Sequence, residues 1–292
     1  MMKQIIKQSF DEERALYNLT DAEVINCRFA GLADGESVLK EGRNITVDGC
    51  KFSLRYPMWH VNQFSLVNSS MDDKTRAPLW YAASGRIENC DVTGIKCLHE
   101  CSHITVAKCN IVSPEFGWRC RQLKIEDSDI DAVYFLFESN QVEIDRLKMT
   151  GKYSFQYTTD VHIKNSELDT KDAFWHSKNV TVENSVVKGE YLGWFSENLT
   201  LINCRIIGTQ PFCYCKKLKL INCTMEGTDL AFEYSDAEAD IKGHILSVKN
   251  PKSGSITADS IGEIIREKAV MGCSAQIHIR GKNMTDYQET AI

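Results

Sequence analysis

A short phrase recurs through the chain at a fixed interval. It reads Leu199-Thr-Leu-Ile-Asn203-Cys204-Arg-Ile206, and returns as Val180-Thr-Val-Glu-Asn184-Ser185-Val-Val187 and as Leu218-Lys-Leu-Ile-Asn222-Cys223-Thr-Met225. Ser166, Ser185, Cys204 and Cys223 follow one another at steps of 19 residues. A period of that size denotes stacked units, each too small to bury a core alone.

With the Cys or Ser after the Asn as reference, the repeat runs through Cys27, Cys50, Ser69, Cys90, Cys109, Ser128, Leu147, Ser166, Ser185, Cys204 and Cys223. Insertions over 31–40 and 72–76 lengthen two early steps. Two residues after each reference the side chain is always apolar, from Phe29 to Met225. Three residues before it is apolar as well, from Val24 to Leu220. Five before it Gly85 is the exception. Spacings of two mean strands with one buried face, whereas helical repeats would space their apolar residues by three and four.

The expected fold is therefore all-β: a parallel β-helix of about 11 coils of 19 residues, three strands per coil, with polar corners between strands. Parallel crossovers are overwhelmingly right-handed, so the solenoid is expected to be right-handed. Asn tolerates left-handed backbone angles, and Asn165, Asn184, Asn203 and Asn222 are expected to stack as a ladder inside the wall. One domain is expected, in three parts. Residues 1–20 cap the first coil, with Phe10 and Leu16 over the core. Residues 21–235 form the coils. Residues 236–292 hold a degenerate coil around Ile241, Ile245 and Val248 and a C-terminal cap. That cap contains a short helix at 259–268 with Asp259 as N-cap, followed by a strand at 276–280.

Composition excludes several partner classes. A net charge of −6 lacks the basic excess of a nucleic-acid binder. No apolar run approaches the ~20 residues that cross a bilayer. The first 19 residues carry Asp11, Glu12, Glu13 and Arg14 without an apolar segment, so no secretory leader is expected. Twelve cysteines fall mostly at repeat-equivalent apolar places, where free thiols behave as small hydrophobes. Reduced cysteines and a cytoplasmic location are expected.

The Asn ladder, the three strands per coil and the parallel stacking resemble the pectin-lyase-like β-helix superfamily. More narrowly, Lys171-Asp-Ala-Phe-Trp175, Gly189-Glu-Tyr-Leu-Gly-Trp194 and Phe232-Glu-Tyr-Ser235 resemble recurring phrases of one bacterial family, catalogued only as a domain of unknown function. The resemblance runs from Glu13 to Pro251 and supplies no catalytic residue. It implies a groove along the outer face of the third strand, ten residues after each reference. There stand His60, Tyr81, Glu100, Arg119, Glu138, Tyr157, His176, Phe195, Tyr214 and Glu233.

Acids, cations and aromatic rings in one row suit sugar recognition and general acid–base chemistry. Glu100 and Glu138, two coils or about 9.6 Å apart, are the candidate catalytic pair of a glycan hydrolase. Arg119, Tyr157, His176, Tyr81, His60 and Tyr214 are the candidate binders. Glu100, Arg119 and Glu138 equally fit a surface ion-pair ladder between coils. The alternative to an enzyme is a non-catalytic scaffold that binds a glycan or a protein, or pairs as a homodimer through this face. One position earlier lie all five tryptophans, Trp59, Trp80, Trp118, Trp175 and Trp194, expected by alternation to form an inward stack. Asp127, Asp129 and Asp131 lack the glycine and distal Glu of a calcium loop. Cys213 and Cys215 lack the further ligands zinc requires. No metal and no cofactor is expected.

Overall fold

The computed structural model describes residues 2–31, 37–267 and 269–281. The described chain is all-β, with strands that pair in parallel, and forms two compact units, residues 1–150 and 151–292. In the first unit, Thr20–Ile25, Arg43–Asp48, Asn62–Val67, Ala83–Glu88 and Ser102–Ala107 stack in register, with Arg43 beside Asn62 and Asn62 beside Ala83. In the second, Thr159–Lys164, Lys178–Glu183 and Glu197–Ile202 do the same, with Lys178 beside Glu197. The core runs down the axis of each stack. Val24, Val47 and Leu66 are fully buried in the first unit, and Ile163, Val182 and Leu201 in the second. Gly85 belongs to this pattern: it faces Phe64, and a Cβ there would lie 2.0 Å from the Phe64 ring. The large side chain on one coil takes the space its neighbour gives up.

The repeat extends past both ends of the expected eleven coils, to about 14 turns. Lys3–Ile6 pairs with Ala22–Ile25 and Phe10 stacks on Phe29 at 5.1 Å, so the first coil is covered by one more of the same kind. Gln8 stands there in place of Cys or Ser and donates its N–H to Cys27 Sγ, which is why the phrase is not visible in that turn. At the far end Asp236–Lys242, Ser253–Ala258 and Gln276–Ile279 continue the stacking.

The short C-terminal helix is not formed. Ser260–Ile265 is a strand paired in parallel with His244–Lys249. Ile261, Ile264 and Ile265 have helical spacing, but a lone ten-residue helix is marginal in water and an open strand edge offers partners for every peptide. Gly262 lies against the neighbouring strand, where a Cβ would sit 2.6 Å from the Leu246 carbonyl. Asp259 accepts the Gly243 N–H at 2.6 Å and pairs with Arg280, so it clasps coils instead of capping a helix. Residue 268, the helix's expected end, lies outside the described residues.

The corners are left-handed, as the Asn phrase implies: φ is 53° at Asn26, 50° at Asn184 and 53° at Asn203. The ladder Asn184–Asn203–Asn222 forms, with amide bonds of 3.0 and 2.6 Å, but on the exposed surface and not inside the wall. It is the following residue that turns inward. Its N–H points into the core, where water cannot reach it, and the Cys or Ser one coil on accepts it. Ser69 Oγ accepts from Cys50 at 3.0 Å and Ser128 Oγ from Cys109 at 3.1 Å, and at the corner after the third side Ser139 Oγ accepts in the same way from Cys120 at 2.9 Å. The Cys/Ser rows are thus a hydrogen-bonding device. Burial pushes the Cys50 thiol up to about 12 and the Cys215 thiol up to about 11, and no disulfide occurs among the described residues.

This device predicts an asymmetry. Ser69→Ala strips the acceptor from the buried Cys50 N–H and should cost about 1–3 kcal/mol, whereas Ser69→Cys, which keeps an acceptor, should cost less. Urea unfolding of the three proteins measures this; equal midpoints would contradict it.

Candidate functional site

The third side of the coil is a strand at Lys96–His99, Glu115–Trp118 and the ends of Arg121–Phe135 and Asn140–Ser154, whereas at Trp59, Trp80, Trp175 and Trp194 it is a tight turn. The reason lies in two left-handed residues separated by one. Phe174 has φ 64° and His176 has φ 53°. The first sends its side chain inward, where Phe155 and Phe174 stack at 5.0 Å. The second sends its side chain out to solvent. At the first position Gly193 (φ 75°) replaces Phe, because a Cβ there would lie 2.8 Å from the Phe212 ring.

This double bend removes simple strand alternation and corrects the expectation for tryptophan. The indoles are not in the core; they lie half-buried on the outside, each with its N–H satisfied by a backbone carbonyl. Trp80 donates to Lys96 at 2.8 Å, Trp175 to Tyr191 at 2.8 Å and Trp194 to Gln210 at 2.8 Å. In the first unit Trp59, Trp80, His99 and Trp118 form a continuous stack with centroids 5.1, 4.8 and 5.3 Å apart. In the second, Trp175 and Trp194 stack at 5.5 Å.

Every candidate residue has a left-handed backbone, and all but half-buried Tyr214 are exposed. In the first unit His60 and Tyr81 stack at 4.7 Å, and Arg119 Nε pairs with Glu138 Oε2 at 2.7 Å. Glu100 stands in the same column and is exposed. The carboxylate of Glu138 is therefore engaged by a guanidinium on an open surface. In the second unit Tyr157, His176, Phe195 and Tyr214 form one ladder, with centroids 5.0, 5.0 and 4.8 Å apart and planes within 10° of parallel. Tyr157 remains 50% exposed and Phe195 43%, so the rims of the rings face solvent while their faces cover one another.

The ladder's last rung is Tyr234 and not Glu233. Tyr214 and Tyr234 lie 5.5 Å apart, and Ser235 Oγ accepts the Cys215 N–H, so this step is 20 residues long. The matching phrases Phe212-Cys-Tyr-Cys215 and Phe232-Glu-Tyr-Ser235 carried that signal. Glu233 falls in the tryptophan column and pairs with Lys249 at 3.3 Å. Asp172, at the turn before Trp175, also escapes a sequence reading. It is buried, its Oδ1 has no hydrogen-bond partner among the described residues, and burial raises its carboxyl above the usual range. Among the described residues no cluster of His, Cys, Asp and Glu could hold a metal ion.

Stacked coils with parallel strands, polar corner ladders and inward Cys/Ser rows define a parallel β-helix. Within that class the chain belongs to the family described as Protein of unknown function (DUF3737), which it matches over residues 3–279. Among solved structures it is similar to a PL6 alginate lyase in complex with a trisaccharide, at 8% identity and a TM-score of 0.37, covering 78% of this chain and 81% of that one. It is likewise similar to the Azotobacter vinelandii mannuronan C-5 epimerase AlgE4 A-module, at 9% identity and a TM-score of 0.38, covering 97% and 90%. A third is the tailspike protein of E. coli bacteriophage HK620 in complex with a pentasaccharide, at 9% identity and a TM-score of 0.30, covering 96% and 72%. Comparison with curated proteins finds no match.

His99 is the one polar ring in the Trp59–Trp118 stack, and burial between the two indoles lowers its pKa to about 4, against an opposing pull from the Glu115 carboxylate. The unfolded chain takes up this proton near pH 6.5. Between pH 6.5 and 4 the unfolded state binds more protons than the folded one. The contribution of His99 is therefore fully present above pH 6.5 and is lost as pH falls toward 4. His99→Phe keeps a ring in the stack and should flatten the fall of Tm across that window. A thermal-melt series in which parent and variant lose the same number of degrees would contradict this.

Proposed function

We propose that the protein binds an extended oligosaccharide, without cleaving it, along the exposed rim of the Tyr157–His176–Phe195–Tyr214 ladder. The observation that supports this most strongly is the ladder itself: solvent-facing rims repeat every 4.8–5.0 Å, with half-buried Trp175 and Trp194 beside them. Because each ring is held by its neighbours, little side-chain freedom is lost on binding, and preorganisation of that kind favours affinity. Tyrosine hydroxyls and the imidazole supply hydrogen bonds to sugar hydroxyls, while the ring edges cover sugar C–H groups. The faces are already taken, so the ligand lies across the rims and does not intercalate.

Hydrolysis by Glu100 and Glu138, with Arg119 as a binder, is the competing use of the same side. A general acid of this class sits in a shielded setting that keeps its proton. Glu138 instead faces solvent and is held by Arg119 at 2.7 Å. That pairing favours binding over cleavage.

Calorimetry against a panel of oligosaccharides, with reducing-end analysis of the recovered ligand, tests the reading. Saturable binding and unchanged ligand are expected. Tyr157→Ala and His176→Ala should each weaken binding about two- to tenfold, corresponding to about 0.5–1.5 kcal/mol per aromatic contact. Undiminished binding by the double variant would overturn the proposal. Cleavage abolished by Glu100→Gln or Glu138→Gln would replace it with the hydrolase, and ligand-independent dimers in light scattering that the ladder variants dissociate would replace it with a dimer face.

A further inference from the structure

The first unit carries a second feature, separate from the ladder of the second. A depression of about 290 Å³ opens between His60 and Tyr81 on one side and Arg43 and Asn62 on the other. It exists because of one small residue. Arg43, Asn62 and Ala83 occupy equivalent places on three successive coils, and the methyl group of Ala83 leaves room where its neighbours extend long polar chains. His60 and Tyr81 stack at 4.7 Å and form a fixed aromatic wall.

The two opposite charges that line this depression do not pair with one another. Glu41 lies at its edge, but the Tyr17 hydroxyl donates to its Oε2 at 2.9 Å. The Arg43 guanidinium has neither a hydrogen bond nor an ion pair among the described residues, whereas four other arginines of the coils are paired: Arg86 with Glu88, Arg119 with Glu138, Arg146 with Asp127 and Arg205 with Glu226. An unpaired guanidinium beside a carboxamide presents planar N–H donors, the arrangement that takes a carboxylate through two parallel hydrogen bonds. The aromatic wall lines the same depression.

We propose that this depression binds a carboxylate carried on a single small ring. Arg43 grips the carboxylate, Asn62 donates to it or to a neighbouring hydroxyl, and the ring rests against Tyr81 above Ala83. The site is independent of the oligosaccharide rim, and the two stand or fall separately.

Calorimetry of the full chain with sodium glucuronate, sodium benzoate and glucose tests the proposal. Saturable binding of at least one of the two acids is expected, with none for glucose and with affinity falling as salt rises. Binding of glucuronate alone identifies a sugar acid as the ligand class, and binding of benzoate identifies a flat ring. Arg43→Gln should weaken binding about tenfold or more, and Ala83→Leu should abolish it by filling the cavity. The Tyr157→Ala/His176→Ala protein should bind the acid as the parent does. Equal affinity in Arg43→Gln, glucose binding as tight as that of the acids, or no heat from either acid would overturn it. Arg43 is exposed and its guanidinium holds no hydrogen bond or ion pair among the described residues, so the variant is expected to fold.

Discussion

The structure depends on residues in the left-handed region of the backbone. Within the coil from Ser166 to Asn184, Phe174, His176, Asn179 and Asn184 have φ of 64°, 53°, 53° and 50°. An ordinary L-residue gives up about 1 kcal/mol or more in that region, so each coil carries several kcal/mol of strain. Three kinds of contact offset it. Backbone bonds run from the bent residue to the next coil, as from His176 to the Trp194 carbonyl at 3.0 Å. Side-chain ladders run along the outside, as from Asn198 to Asn179 at 3.0 Å. Inside, Cys and Ser take up the N–H groups that the corners turn away from solvent.

The aromatic rows follow from the same bends. Two left-handed residues separated by one place a core ring, a half-buried indole and an exposed side chain in three consecutive positions. Stacking coil on coil then turns each position into a column. An exposed column of rings is thus a by-product of the corner, and its chemistry is whatever the sequence writes there. In the first unit that is a stacked pair followed by charges; in the second it is an unbroken aromatic ladder. The contrast separates a surface of ordinary ion pairs, each contributing little to stability, from one with rigid, partly apolar rims suited to an extended ligand.

Much of this was legible in the sequence because a solenoid repeats its signal. The 19-residue step located the strands, the core rows and the outward column, and Glu100, Arg119, Tyr157 and His176 are all exposed as that register requires. What the sequence hid has local causes. Alternation misplaced the tryptophans, since period-two reasoning fails where Phe174 and His176 both bend left. Isoleucine spacing suggested a helix at 259–268, because the pattern does not record that an open strand edge lies alongside. Tyr234 was missed by one residue where a coil lengthens. The depression at Arg43 was invisible because it arises from what Ala83 lacks, and a missing side chain leaves no motif.

The most direct test of this account compares glycine with alanine at a ladder position. Phe195, exposed and at φ 59°, is the site of choice. Both substitutions remove the ring, but only glycine relieves the left-handed backbone. Denaturant unfolding of Phe195→Gly and Phe195→Ala should therefore show the glycine variant more stable by about 1 kcal/mol, the reverse of the usual order within a strand. An alanine variant as stable as the glycine variant, or more so, would contradict the left-handed corner and with it the origin of the exposed ladder.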